Sequence, residues 1–195
     1  MRVLRLSMQF AAFIMLFFFL ACASPSTKFP AVWKDKTYHG HPEKILVING
    51  FKNPANRKLF EDEFVEALKE RGVDAVVSYT IMPVPIVPDK ESIANEEALL
   101  RRIRDVGADT VLISKPVGKT MGHQSDAYYS ELYMNIVTQT DVYDIKSSRL
   151  VLSVTAETRQ QDIPPSETKQ HESTSDRIKT YIKDLVQKLS QQGLF

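Results

Sequence analysis

The sequence predicts an α/β (α+β) fold: a mixed sheet of about five strands, in the order βαβαβββα, with three helices packed on it. Three observations carry this prediction. Apolar, β-branched runs alternate with amphipathic stretches through the first half of the chain, as in parallel strand–helix–strand units. A long two-residue alternation, a short polar turn and a second alternating run follow, the pattern of an antiparallel hairpin. The carboxyl-terminal stretch carries one continuous helical stripe.

The first strand is Lys44-Ile45-Leu46-Val47-Ile48-Asn49, apolar without interruption and so expected to be buried on both faces. Gly50-Phe51-Lys52-Asn53-Pro54 breaks it. Asn56 is the expected N-cap of the first helix, whose stripe is Phe60, Phe64, Ala67 and Leu68 and whose end is Gly72. Val73 to Thr80 is the second strand. Pro83, Pro85 and Pro88 rule out a helix and a central strand, leaving an extended loop over 81–88. A second helix follows, under way by Asn95 with Asp89 as its earliest start, its stripe of Ile93, Leu99, Leu100 and Ile103 interrupted at Glu96 and Gly107 stopping it. Thr110 to Ile113 is the third strand, with Val117 as its furthest reach. Met121 to Ala127 reads as a polar loop. Leu132 to Tyr143 alternates as a half-exposed strand, Asp144 to Ser148 is a turn, and Leu150 to Ala156 returns. Gln160 to Ser173 is a polar loop. A helix from Thr174 or Ser175 then places Ile178, Ile182, Leu185 and Leu189 on one face.

Ahead of this domain, assigned to residues 43–195, lies a different kind of sequence. Arg2 and Arg5 precede an uncharged apolar run from Phe10 to Ala21, and the run ends at Cys22, the single cysteine of 195 residues. A basic head, an apolar centre and a small residue before the cut make residues 1–21 a secretory signal peptide. The apolar run falls short of the roughly 20 residues that a spanning helix needs. Residues 22–42 hold Pro25, Pro30, Pro42, Ser24, Ser26 and Thr27 without periodicity and read as a flexible tether, spanning at most about 70 Å when extended. Trp33 and Tyr38 depart from its polarity and suit either the domain edge or the membrane interface.

Phe19-Leu20-Ala21-Cys22 resembles the lipobox of bacterial lipoproteins: Ala21 and Cys22 match, while Phe19 and Leu20 stand where Leu and a small residue are preferred. The resemblance implies cleavage before Cys22, its lipidation with fatty acyl chains, and a membrane contact through that anchor. With Ala23 rather than Asp after the cysteine, it implies the periplasmic face of the outer membrane. Acylation also removes a lone thiol that could form no internal disulfide in an oxidising compartment. Two other fates stay open: ordinary cleavage after Ala23, giving a secreted or periplasmic soluble protein, and an uncleaved anchor.

The formal net charge is +1, and becomes −1 once Arg2 and Arg5 leave with the leader. That mixed, near-neutral surface gives no footprint for nucleic acid. Gly118-Lys119-Thr120 imitates the end of a phosphate-binding loop, but Ile113 stands where the first glycine is needed. His39 and His41, with His123 and His171 far off in sequence, do not make a zinc set, so no metal is expected. There is no G-x-S-x-G elbow, and Glu61 with Glu63, or Glu96 with Glu97, read as solvated helix faces rather than acid–base pairs. No catalytic residue and no cofactor follow from the sequence.

One constellation is a candidate binding site. Asn53, Asn56 and Arg57 lie between the first strand and first helix, where open α/β sheets bind ligands and a helix N-terminus favours anions. They also fit as turn residue, cap and surface charge. Tyr128, Tyr129, Tyr133 and Tyr143 gather along the hairpin and suit either a partner surface or cross-strand packing.

The strand Ile45-Leu46-Val47-Ile48, the entry Gly107-Ala108-Asp109-Thr110-Val111-Leu112-Ile113, and the hairpin Val142-Tyr143-Asp144 through Lys146-Ser147-Ser148 to Arg149-Leu150-Val151 are similar to the amino-terminal domain of TolB and the periplasmic domain of the lipoprotein CsgG. Ser147-Ser148 replaces the usual Thr-Gly turn, and Ser114-Lys115-Pro116 replaces a glycine. The resemblance implies a non-catalytic periplasmic module, interacting with another envelope protein in assembly or secretion. The alternative is a small-ligand-binding protein or an enzyme using the loop of Asn53, Asn56 and Arg57.

Overall fold

A computed structural model describes residues 27–82, 101–125, 130–161 and 174–195. Six strands form one sheet: β1 (Thr27–Lys34), β2 (Lys44–Asn49), β3 (Asp74–Val77), β4 (Thr110–Ser125), β5 (Ser130–Asp144) and β6 (Arg149–Gln161). Helix α1 spans Pro54–Lys69, α2 is described over residues 101–105, and α3 spans Thr174–Gln191. The sheet order is β1-β6-β5-β4-β2-β3. β2 is parallel to β3 and β4; every other pair is antiparallel. The α/β class and mixed sheet match the sequence expectation.

The two cores follow from the alternation. Ile45, Val47, Leu112, Val142, Leu152, Val154 and Ala156 face α1 and α3, meeting Phe60, Phe64, Leu68, Ile182, Leu185 and Leu189, all at most 2% exposed. On the opposite face, Leu46, Ile48 and Val111 pack with Met82, Ile103 and Ala108. The α3 stripe of Ile178, Ile182, Leu185 and Leu189 is buried as its spacing requires. Gly72 and Gly107 follow their helices with φ of 79° and 71°, the left-handed geometry in which glycine carries no Cβ penalty.

The sixth strand corrects the tether. Residues 27–34 of the 22–42 segment pair with β6, from Thr27↔Thr158 to Lys34↔Leu152. Phe29 and Val32 pack on the core, and the Lys34 ammonium donates to the Gln192 carbonyl at the end of α3. Pro30 is tolerated because β1 is an edge strand and its register shifts between Lys28 and Ala31. Trp33 belongs to this strand and is half-exposed, whereas Tyr38 packs on the core. The polar loop expected from Met121 is also corrected. β4 continues to Ser125, paired throughout with β5. Residues 1–26, which include the leader and Cys22, lie outside the described residues, as do the proline loop from Pro83, the start of the second helix, and 162–173.

Candidate functional site

Asn49 ends β2 and Val77 ends β3, so the loop 50–53 and the start of α1 stand at the carboxyl ends of two parallel strands. The N-cap is Asn53 rather than Asn56: its side-chain oxygen accepts from the amides of Ala55 at 2.9 Å and Asn56 at 3.2 Å, satisfying two of the helix's free donors. Asn56 lies in the first turn, half-buried. Arg57 is neither a surface charge nor open to solvent; it is 2% exposed.

Arg57 points inward to Glu61, which is 0% exposed, so the solvated face expected for Glu61 is also corrected. Its Oε1 accepts from Arg57 Nε at 2.9 Å, Ser78 Oγ at 2.8 Å and the Asn49 amide at 3.0 Å. Its Oε2 accepts from the amides of Ser78 at 2.7 Å and Tyr79 at 3.0 Å. Arg57 Nη2 donates to Ser78 Oγ at 2.7 Å. Three backbone amides, a hydroxyl and a guanidinium thus converge on one carboxylate. This is the donor set with which a sheet crevice holds an anionic ligand, and here Glu61 occupies it. Chemically, the arrangement is a clamp joining α1 to the ends of β2 and β3. Next to it, on the surface, the Tyr79 hydroxyl donates to Asp62 at 2.6 Å, which pushes the phenol above its ordinary value.

Asn53, Asn56 and Arg57 therefore do not converge. The sequence did carry a signal for the clamp: Arg57, Glu61, Phe64 and Leu68 stand at i, i+4, i+7 and i+11, so both charges continue an apolar stripe. Among the described residues no group of three or more His, Cys, Asp or Glu could hold a metal; His39 and His41 are exposed. Gly118-Lys119-Thr120 lies inside β4, not in a loop before a helix.

A second feature is an arm. β2 pairs with β4 only as far as Ser114, and the Gly50 amide donates to the Ser114 carbonyl at 2.9 Å. Beyond Ser114, β4 continues with β5 alone to the Ser125↔Ser130 pair. Pro116 and a register shift between Pro116 and Gly118 mark the departure; proline and a bulge both blunt a free edge. Val117 and Met121 are 48% and 67% exposed. Farther out, Tyr133 lies across Gly122, its partner in register: a Cβ on Gly122 would run into the ring. The Arg159 guanidinium covers that ring, 3.8 Å from its centroid. Tyr143 stands ten residues from Tyr133 along β5, about 34 Å away, so these two do not form one patch; Tyr128 and Tyr129 lie outside the described residues.

No protein-family model matches the chain, and no curated protein matches it. Solved structures align with most of the chain. PelC from Paraburkholderia phytofirmans, solved as a dodecamer, is 12% identical over 82% of this chain and 94% of that one, with a TM-score of 0.47. Lipoprotein GNA1162 from Neisseria meningitidis is 12% identical over 77% and 99%, with a TM-score of 0.44. A minor lipoprotein from Acinetobacter baumannii is 16% identical over 78% and 92%, with a TM-score of 0.38.

Proposed function

We propose that the chain is a lipid-anchored, non-catalytic module of the bacterial cell envelope, held through acylated Cys22 at the periplasmic face of the outer membrane. There it engages an envelope protein partner. The carrying observation is the basic head and apolar run ending in the lone Cys22, only five residues ahead of β1. Several acyl chains give stable anchoring, each buried CH₂ contributing about 0.8 kcal/mol. Confinement beside the membrane raises the effective concentration of the domain for a partner held there.

The filled crevice supports the non-catalytic part of this reading. A small anionic ligand at the loop of Asn53, Asn56 and Arg57 would have to displace Glu61 from five donors. Cys22→Ser in the full chain tests the anchor: the wild type partitions with membranes and the variant does not. Equal partition of the two would remove the lipid from the account.

A further inference from the structure

The anchored reading fixes more than a compartment, because the link between anchor and sheet is short and leaves the sheet at a defined end. β1 runs antiparallel to β6 and starts at Thr27, opposite Thr158. Thr158 in turn lies opposite Ile136 of β5. The chain therefore enters the sheet at the end toward which the β4–β5 arm projects. From Ile136 to Ser130 the arm runs six residues farther that way, about 20 Å at ~3.4 Å per residue. The five steps from Cys22 to Thr27 cover at most about 18 Å. An anchor at Cys22 thus lies no farther from the body of the sheet than the end of the arm does.

The arm's outer surface fits a lipid headgroup layer. Among the described residues three large hydrophobic side chains are exposed: Trp33, Val117 and Met121. Two of them, Val117 and Met121, belong to the arm. Lys119 stands exposed between them. Apolar side chains that enter the headgroup–acyl boundary, flanked by ammonium groups that reach phosphate oxygens, make an interfacial contact. We propose that the open edge of β4 on the arm, through Val117, Lys119 and Met121, around the level at which β1 begins, rests in the phospholipid headgroup layer, making the arm a second, non-covalent membrane contact that sets how the domain stands on the bilayer. This rests on the anchored reading.

The test uses the full-length acylated protein in phosphatidylethanolamine–phosphatidylglycerol vesicles. Trp33 is the only tryptophan, so Met121→Trp in a Trp33→Phe background places one fluorophore on the arm, and the unaltered chain places one on β1. Trp33 lies six residues past Thr27 on the side away from the anchor. The expected result is that lipids brominated high on the acyl chain quench the arm fluorophore severalfold and leave Trp33 unchanged. Val117→Trp in the same background repeats the reading at a second exposed position. Flotation of the protein with the vesicles while both arm fluorophores stay unquenched overturns the inference and leaves the anchor intact. Failure of the unaltered full chain to float overturns the anchored reading, and this inference with it.

Discussion

Glu61 and Arg57 carry the most consequence per residue. Removing one partner of a buried ion pair leaves an unpaired charge and costs about 3–5 kcal/mol. Arg57→Ala is therefore expected to lower unfolding stability by about that amount, measured by urea titration. Asn53→Ala should cost only about 1 kcal/mol, the loss of one helix cap. Equal effects would contradict the assignment of one residue to a buried clamp and the other to a cap. Gly122 offers a separate test on the arm. Gly122→Ala puts a methyl group where the Tyr133 ring lies, an overpacking expected to cost about 1–3 kcal/mol. Gly118→Ala meets nothing within 4 Å and should change a thermal melt far less. The candidate residues were only partly legible in the sequence. Asn53 and Asn56 could be placed at the helix start, because turn and cap chemistry is local. Arg57 and Glu61 read as solvent-facing because a charge is usually exposed, and the partners that bury them, Asn49 at the end of β2 and Ser78 just past the end of β3, lie elsewhere in the sequence.

At the level of elements, what was legible had strong periodicity. β2 follows from its uninterrupted apolar run, and β5, β6 and α3 from alternation or helical spacing in their own residues. β1 did not. Pro25, Pro30 and three hydroxyl residues give its neighbourhood the composition of a linker, and only pairing with β6 makes a strand of it. The outer half of β4 was missed because Gly118, Gly122 and polar residues hide its alternation, and cross-strand contacts such as Tyr133 on Gly122 support it. β1 yields a prediction of its own. Phe29 and Val32 pack partly buried against the core, and full burial of such a side chain contributes about 1.5–3 kcal/mol. Val32→Asp should therefore lower stability measurably and expose β6 amides to hydrogen exchange. A chain that keeps β6 protected after that change would show that 27–34 is a tether after all.

For the whole molecule, the two helices on one face and the polar row beneath them give a pH dependence. Burial pushes the Tyr181 phenol above its ordinary 10.0. A folded-state value above the unfolded one means that this contribution is complete below about pH 10 and is lost as pH rises toward the folded value. Tyr181→Phe should flatten the alkaline limb of the stability curve, and an unchanged limb would contradict the burial of that hydroxyl.

The larger question is whether this chemically quiet sheet is fastened to a bilayer. The most direct measurement is the intact mass of the mature amino terminus, purified from membranes of cells expressing the full chain. The account predicts a polypeptide beginning at Cys22 and carrying diacylglycerol and an amide-linked fatty acid. A terminus without added lipid, whether beginning beyond Cys22 or retaining the leader, would contradict it.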